Sequence, residues 1–203
     1  MFWGGGISLR SHEISQKLKS SLIFGPAVVS DRHRDNFVDN VMTDMSKENV
    51  HVSLSEKPLN ASEMMDLVRS PEAGAIVLFA GTTRNNFKGT CACDHAKDAG
   101  KTVIHLDYEA YPDMALPSLR SICTDAKQKW SLFGVAVTHR LGRVPIGQES
   151  ILIAVSSAHR KAAWEAAEWI LEEVKRKTEI WKKEFYENPD DEPQWKENFP
   201  LAG

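Results

Sequence analysis

Residues Gly134–Val174, GVAVTHRLGRVPIGQESILIAVSSAHRKAAWEAAEWILEEV, carry the clearest structural signal in this sequence of 203 residues. Two runs rich in valine and isoleucine, residues 134–139 and 150–156, flank a short segment that contains glycine and proline. Such a pattern predicts a β-hairpin. Apolar residues then recur every three or four positions while glutamates occupy the other side, which predicts an amphipathic helix. The sequence therefore predicts a central unit, called the nucleus below, in which a strand pair is followed directly by a helix.

Further strands and helices are predicted on the amino-terminal side of this nucleus. The unbroken apolar run at residues 75–80 is typical of a strand buried on both faces, and residues 103–108 alternate as a second strand does. Helices are predicted from Asn60, whose side chain can cap free amides, to about residue 70, and from about 113 to 130. This mixture of strands and helices predicts an α+β fold.

The first 57 residues show no apolar period, so we expect residues 1–57 to be a poorly ordered extension and residues 58–203 to be the folded domain. Removing residues 1 to about 50 should then leave folding and activity intact. An alternative for the first 30 residues is an organelle transit peptide, because they are rich in serine and bases and Glu13 is their one acid.

Composition excludes several classes of protein. The 25 basic and 28 acidic residues nearly cancel, so no field that attracts nucleic acid is expected. No stretch approaches the roughly 20 apolar residues that cross a membrane. Three cysteines indicate no disulfide framework, which favours a cytoplasmic protein. Cys91, Cys93 and His95 lack the further ligands of a zinc site, so no metal is expected.

Two segments place cations beside the end of a strand. Arg84 follows the buried strand after Gly81, and its planar fork suits phosphate or carboxylate. Residues 156–160 form a strand-to-helix junction where free amides coincide with His159 and Arg160, which suits an anion. The ordinary explanations are a surface arginine at the first segment and helix capping by serine at the second.

A lysine series near the end of the long helical pattern is the third candidate. Lys175 and Lys182 are seven residues apart and would be nearly aligned if the helix continued. Trp181 could supply apolar surroundings that lower the pKa of Lys182 and make its amine reactive. The ordinary explanation is that lysines favour helix ends, where Lys175 can pair with Glu179.

Five motifs taken together resemble the large subunit of molybdopterin synthase, in its eukaryotic form. They are Gly81–Phe87 (GTTRNNF), Leu106–Tyr111 (LDYEAY), His139–Gly142 (HRLG), Ser156–Arg160 (SSAHR) and Ile180–Glu184 (IWKKE). The resemblance runs from about Asn60 to Trp195. The first 57 residues match nothing in that family, and the loop through Cys91 and Cys93 looks longer than usual.

The resemblance implies an α+β fold of the α/β-hammerhead type, with a mixed or antiparallel sheet and packed helices. It also implies self-association into a dimer within a heterotetramer, with a small ubiquitin-like subunit at each end. The partner's tail would carry a carboxy-terminal thiocarboxylate into the active site. The implied enzyme is a sulfurtransferase of molybdenum cofactor biosynthesis, which converts cyclic pyranopterin monophosphate into the dithiolene of molybdopterin without a metal or redox cofactor.

The matched motifs also imply roles for individual residues. Lys175 and Lys182 fall on the family's catalytic lysines. The substrate-binding positions include both lysines and are otherwise Thr82, Thr83, Arg84, His159, Arg160, Lys183 and Glu184. A competing class is a non-catalytic adaptor that binds a ubiquitin-like tail in an extended groove. The adaptor would explain the partner but not the two lysines.

Overall fold

The computed structural model describes the backbone of residues 41–45 and both backbone and side chains of residues 49–85 and 101–196. These residues form nine strands and three helices. In chain order they are β1 (Val41–Met45), β2 (Val50–Ser55), α1 (Ala61–Leu67), β3 (Ala75–Thr82), β4 (Val103–Ala110), α2 (Pro112–Trp130), β5 (Gly134–Arg140), β6 (Gly142–Pro145), β7 (Glu149–Ser157), α3 (Arg160–Lys177), β8 (Ile180–Tyr186) and β9 (Gln194–Lys196).

The strands form two sheets, and the predicted α+β fold is confirmed. The larger sheet has the order β1-β2-β5-β7-β3; only its β2–β5 pair is parallel. The smaller sheet has the order β6-β4-β8-β9 and is antiparallel. The fold therefore combines one mixed sheet and one antiparallel sheet with packed helices.

The predicted hairpin forms, because β5 and β7 pair from Gly134–Ser156 to His139–Ile151. Alternate residues of β7 face different cores, as the pleat requires. Ile153 and Val155 join the larger core with residues of α2 and α3, whereas Leu152 and Ala154 pack with Met64 of α1. The connection between the two strands is more than a turn, since its residues 142–145 leave to pair with β4 in the smaller sheet.

The helices begin where the sequence predicts. Oδ1 of Asn60 accepts the amides of Ser62 and Glu63 at 3.0 and 3.4 Å, so α1 has its side-chain cap. The helix ends at Leu67, three residues earlier than predicted. The predicted second helix, α2, is confirmed at Pro112–Trp130. None of the helices among the described residues is long and apolar enough to cross a membrane.

The predicted domain boundary at residue 57 is wrong, because β2 lies inside the larger sheet between β1 and β5. Val50 and Val52 are fully buried and Leu54 is 1% exposed. The six residues of β2 are too few for their alternation to stand out in the sequence. A truncation at residue 50 would also remove β1. Residues 1–40 and the loop with Cys91, Cys93 and His95 lie outside the described residues.

Candidate active site

Thr82, Thr83 and Arg84 lie where β3 ends at the edge of the larger sheet. The register with β7 shifts between Gly81 and Thr82, which marks a bulge. A side chain at Gly81 would come within 2.7 Å of Cγ2 of Ile151, so glycine lets the two strands approach closely. Thr83 is 3% exposed, whereas Arg84 is exposed to solvent. The strand end therefore anchors Thr83 and presents Arg84.

Lys182 lies on β8 and is the most perturbed cation of the set. Burial lowers the pKa of its amine, Glu184 acts in the opposite direction, and the positive charges of Arg84, Lys175 and Lys196 lower it further. These electrostatic interactions require the four charged groups to lie near the lysine amine. A lysine of lowered pKa can donate or accept a proton closer to neutral pH than an ordinary lysine.

Glu184 shares the face of β8 on which Lys182 lies, because residues two apart on a strand point the same way. Glu184 is 8% exposed, and its carboxylate accepts a hydrogen bond from the hydroxyl of Tyr186 at 3.1 Å. Across the sheet, Lys182 is in register with Tyr108 and Glu184 with Leu106. The carboxylate therefore offsets part of the positive charge on this face.

Lys183 and Trp181 occupy the other face of β8. Nζ of Lys183 lies 5.7 and 5.5 Å from the ring centroids of Phe185 and Trp195. Trp181 meets Tyr111 edge-on at 5.4 Å and is 38% exposed. The idea that Trp181 supplies the apolar surroundings of Lys182 is therefore wrong. Lys183, on this other face, is also not placed beside the Lys182 amine.

Lys175 reaches the site by a different route from the predicted one. Helix α3 ends at Lys177, so Lys175 and Lys182 are not aligned along one helix. They come together because the chain turns back and β8 carries Lys182 into the smaller sheet. The Lys175–Glu179 pair, offered as part of the ordinary explanation of these lysines, does not form either. Lys175 lies 3.5 Å from Glu172, while Glu179 accepts from Ser118 at 2.9 Å.

His159 and Arg160 are exposed at the start of α3. His159 is the N-cap residue but makes no side-chain capping bond. Oγ of Ser157 donates to the carbonyl of His159 at 2.7 Å, so capping of the helix amides by Ser157 does not occur. Two potentially cationic side chains and uncapped amides thus share this corner, as an anion site requires.

This corner and the end of β3 lie far apart in the folded chain. The β3–β7 ladder pairs Ala75 with Ser157 at one end and Thr82 with Glu149 at the other. Seven steps of roughly 3.3 Å separate the two ends by about 23 Å. The chain therefore brings Arg84, Lys175, Lys182 and Glu184 together, but not His159 and Arg160.

Sequence reasoning missed Lys196. No periodic pattern marks a strand in the sequence after residue 187, but Gln194–Lys196 forms β9 and pairs Lys196 with Lys182. The alternation of polar, aromatic and basic residues at 194–196 was the available signal, and three residues are too few to establish a strand. Within residues 49–85 and 101–196, no group of three potential ligands is arranged to hold a metal ion.

Comparisons with known proteins agree on one family. The family model described as "MoaE protein" matches residues 54–177. A molybdopterin synthase catalytic subunit of Sclerotinia sclerotiorum is 53% identical over 143 residues, 70% of this chain and 67% of that protein. The Homo sapiens protein of the same name is 41% identical over 193 residues, covering 94% of this chain and 95% of the relative.

Solved structures share the fold. A molybdopterin synthase from Staphylococcus aureus superposes with a TM-score of 0.62 at 30% identity, over 75% of this chain and 98% of that one. A complex of subunits 1 and 2 of molybdopterin-converting factor from Helicobacter pylori superposes at 0.53 and 22% identity, over 68% of this chain and 86% of that one. The second likeness is evidence for the fold alone.

Proposed function

The chain belongs to the MoaE protein family, and we propose that it is the catalytic subunit of a molybdopterin synthase. It transfers sulfur from the carboxy-terminal thiocarboxylate of a small ubiquitin-like subunit to cyclic pyranopterin monophosphate, in the cytoplasm. The observation that carries the proposal is Lys182, whose lowered pKa arises inside a group of cations on the family's motif. An adaptor would not need a lysine in such surroundings.

The chemistry explains why cations gather here. The thiocarboxylate and the substrate phosphate are both anions, so they approach each other only where positive groups neutralise them. The thiocarboxylate sulfur forms a C–S bond with a side-chain carbon of the pterin while the C–O bond at that carbon breaks, and the oxygen leaves with a proton or on the phosphate. Water then hydrolyses the acyl–sulfur bond, which leaves a thiolate on the pterin and a carboxylate on the partner. Lys182 assists departure of the acyl group, and Lys175 polarises the attacked carbon. The step uses no metal or redox cofactor.

The remaining substrate-binding residues divide between the two ends of the β3–β7 ladder. Thr82, Thr83 and Arg84 accompany the lysines, whereas His159 and Arg160 follow the opposite end of this ladder, which is about 23 Å long. We therefore propose a dimer in which the corner of one protomer completes the site of its partner and helps bind the phosphate. A twofold axis would form two such sites at once. Each site then takes up one ubiquitin-like tail.

Reconstitution tests the function. Purified wild-type chain, Lys182→Ala and Lys129→Ala are each mixed with thiocarboxylated partner and cyclic pyranopterin monophosphate, and the dithiolene is measured after oxidation to a fluorescent pterin. We expect product from wild type and Lys129→Ala, whose amine lies 4.3 Å from the ring centroid of Trp130 away from the site. Lys182→Ala should lose at least about 100-fold. Partner binding with no product from wild type would favour the adaptor.

Subunit mixing tests the shared site. With the substrate well below its KM, we expect Lys182→Ala and Arg160→Ala chains to be nearly inactive alone, but random reassortment makes half of the dimers mixed, and one of the two sites in each is intact. Activity should therefore recover to about a quarter of wild type. If each site lay within one protomer, mixing would restore nothing.

A further inference from the structure

Arg140, the last residue of β5, is buried without a carboxylate among its described contacts. It is 8% exposed, and its Nη1 donates to Oε1 of Gln148 at 2.6 Å. Its Nε has no hydrogen-bond partner within the described residues. Burying a guanidinium is costly because the charge loses its hydration, and an amide acceptor compensates less than a carboxylate would. Core packing alone does not account for this residue.

The partner of Arg140 also holds the strand end that carries Arg84. Gln148 lies in the turn before β7, and its main-chain carbonyl accepts the amide of Thr83 at 3.1 Å. The amide of Gly147 donates to the carbonyl of Thr83 at 2.9 Å. Thr83 is thus clamped by the turn whose Gln148 side chain is bonded to Arg140. Arg84 follows directly in the chain.

The main chain of Arg140 is linked to the strand that carries Lys182. Nδ1 of His139 lies 2.8 Å from the carbonyl of Arg140, so the ring of His139 is held as an N–H donor. That ring meets Tyr108 edge-on at 4.8 Å, and Tyr108 is opposite Lys182 in the ladder of β4 and β8. Arg140 is therefore linked through Gln148 to the segment that carries Arg84, and through His139 to the strand pair that carries Lys182.

We propose that Arg140 is a positioning residue, which holds Gln148 and through it fixes Thr83 so that Arg84 points at the anionic pterin substrate. The role assigned to Arg84 rests on the proposed function. The clamp itself is a property of the folded chain and can be measured without catalysis. Arg140 touches neither substrate nor partner in this arrangement and acts only through Gln148.

Hydrogen exchange of the Thr83 amide tests the clamp. Gln148 is exposed, so Gln148→Met removes the side-chain oxygen that accepts from Arg140 without opening the core. Gln148→Glu keeps a side-chain oxygen at that place. We expect protection of the Thr83 amide to fall about tenfold in Gln148→Met and in Arg140→Met, and to stay at the wild-type level in Gln148→Glu. Arg143→Met, at an exposed arginine near the same turn, is the matched control and should change nothing.

Steady-state kinetics test the consequence for the substrate. Gln148→Met should raise KM for cyclic pyranopterin monophosphate about tenfold, with kcat within about threefold, and Gln148→Glu should restore KM. The double variant Arg140→Met/Gln148→Met should be no worse than either single variant, because both remove one interaction. Additive losses, or unchanged protection of Thr83 in Gln148→Met, would overturn the proposal. If wild type made no product, the proposed function would fail. The hydrogen exchange of the Thr83 amide would still show whether Arg140 and Gln148 hold Thr83.

Discussion

The two ends of the β3–β7 ladder carry similar side chains in opposite surroundings. At one end Lys182 is half-buried among Arg84, Lys175 and Lys196, and its pKa is lowered. At the other end His159 and Arg160 stand exposed on the first turn of α3. Desolvation and like charges make an amine reactive, whereas exposed cations can only attract an anion. The comparison supports the proposal that the chemistry takes place at the first end and that the second end binds the anion.

The largest expected difference between the two ends comes from two conservative substitutions, lysine to arginine at the first end and arginine to lysine at the second. Lys182→Arg keeps the charge but cannot lose its proton, so kcat should fall by at least about 100-fold. Arg160→Lys keeps a cation in an exposed place, so KM should rise by less than about tenfold with little change in kcat. Single-turnover and steady-state rates measure both effects. Similar losses of kcat in the two variants would remove the distinction between the ends.

An intermediate effect concerns the pH dependence of stability. Burial lowers the pKa of His139 from 6.5 to about 4, so below pH 6.5 the unfolded chain binds a proton that the native chain does not. The free energy of unfolding must then fall as the pH falls, by about 2 kcal/mol between pH 6.5 and about 5. His139→Gln should lose this part of the dependence, as measured by urea unfolding at several pH values. His159→Gln, at the exposed end, is the matched control. Equal slopes in wild type and His139→Gln would contradict the assignment.

The smallest effect should reveal a conflict between stability and binding at the exposed end. His159 occupies the N-cap of α3 without a capping bond. His159→Asp supplies an acceptor and a negative charge, so the free energy of unfolding should rise by about 1 kcal/mol. The same carboxylate should repel the substrate phosphate and raise KM. Urea unfolding and kinetics check the two effects, with His159→Ala as control. A more stable variant with unchanged KM would show that the start of α3 does not bind the substrate.

The elements that sequence analysis found are those with long or simple patterns. The hairpin at 134–156, the cap at Asn60 and the helix ending at Trp130 follow from local periodicity and turn chemistry. The short strands β2 and β9 escaped, because six and three residues give too few repeats to distinguish a strand from a loop. Short strands gain their stability from neighbours distant in sequence.

The candidate site divides in the same way. The motifs identified Lys175 and Lys182, but the reason offered for their proximity was wrong, because α3 ends at Lys177. The end of a helix depends on what the next residues can pair with, and β8 pairs with β4, at least 70 positions earlier in the chain. Lys196, Gln148 and the clamp on Thr83 likewise depend on contacts between separate strands.

The sequence by itself determined the fold class, the main helices, the family motifs and the residue types available for binding anions. Those features are local, since side-chain chemistry and short-range periodicity act over a few residues. Only the tertiary structure decided which cations come together and which lysine has a lowered pKa. It also decided that His159 and Arg160 follow the opposite end of the β3–β7 ladder, which is about 23 Å long. Burial and electrostatic interaction depend on distances in space, and the folded sheets set those distances between residues far apart in the chain.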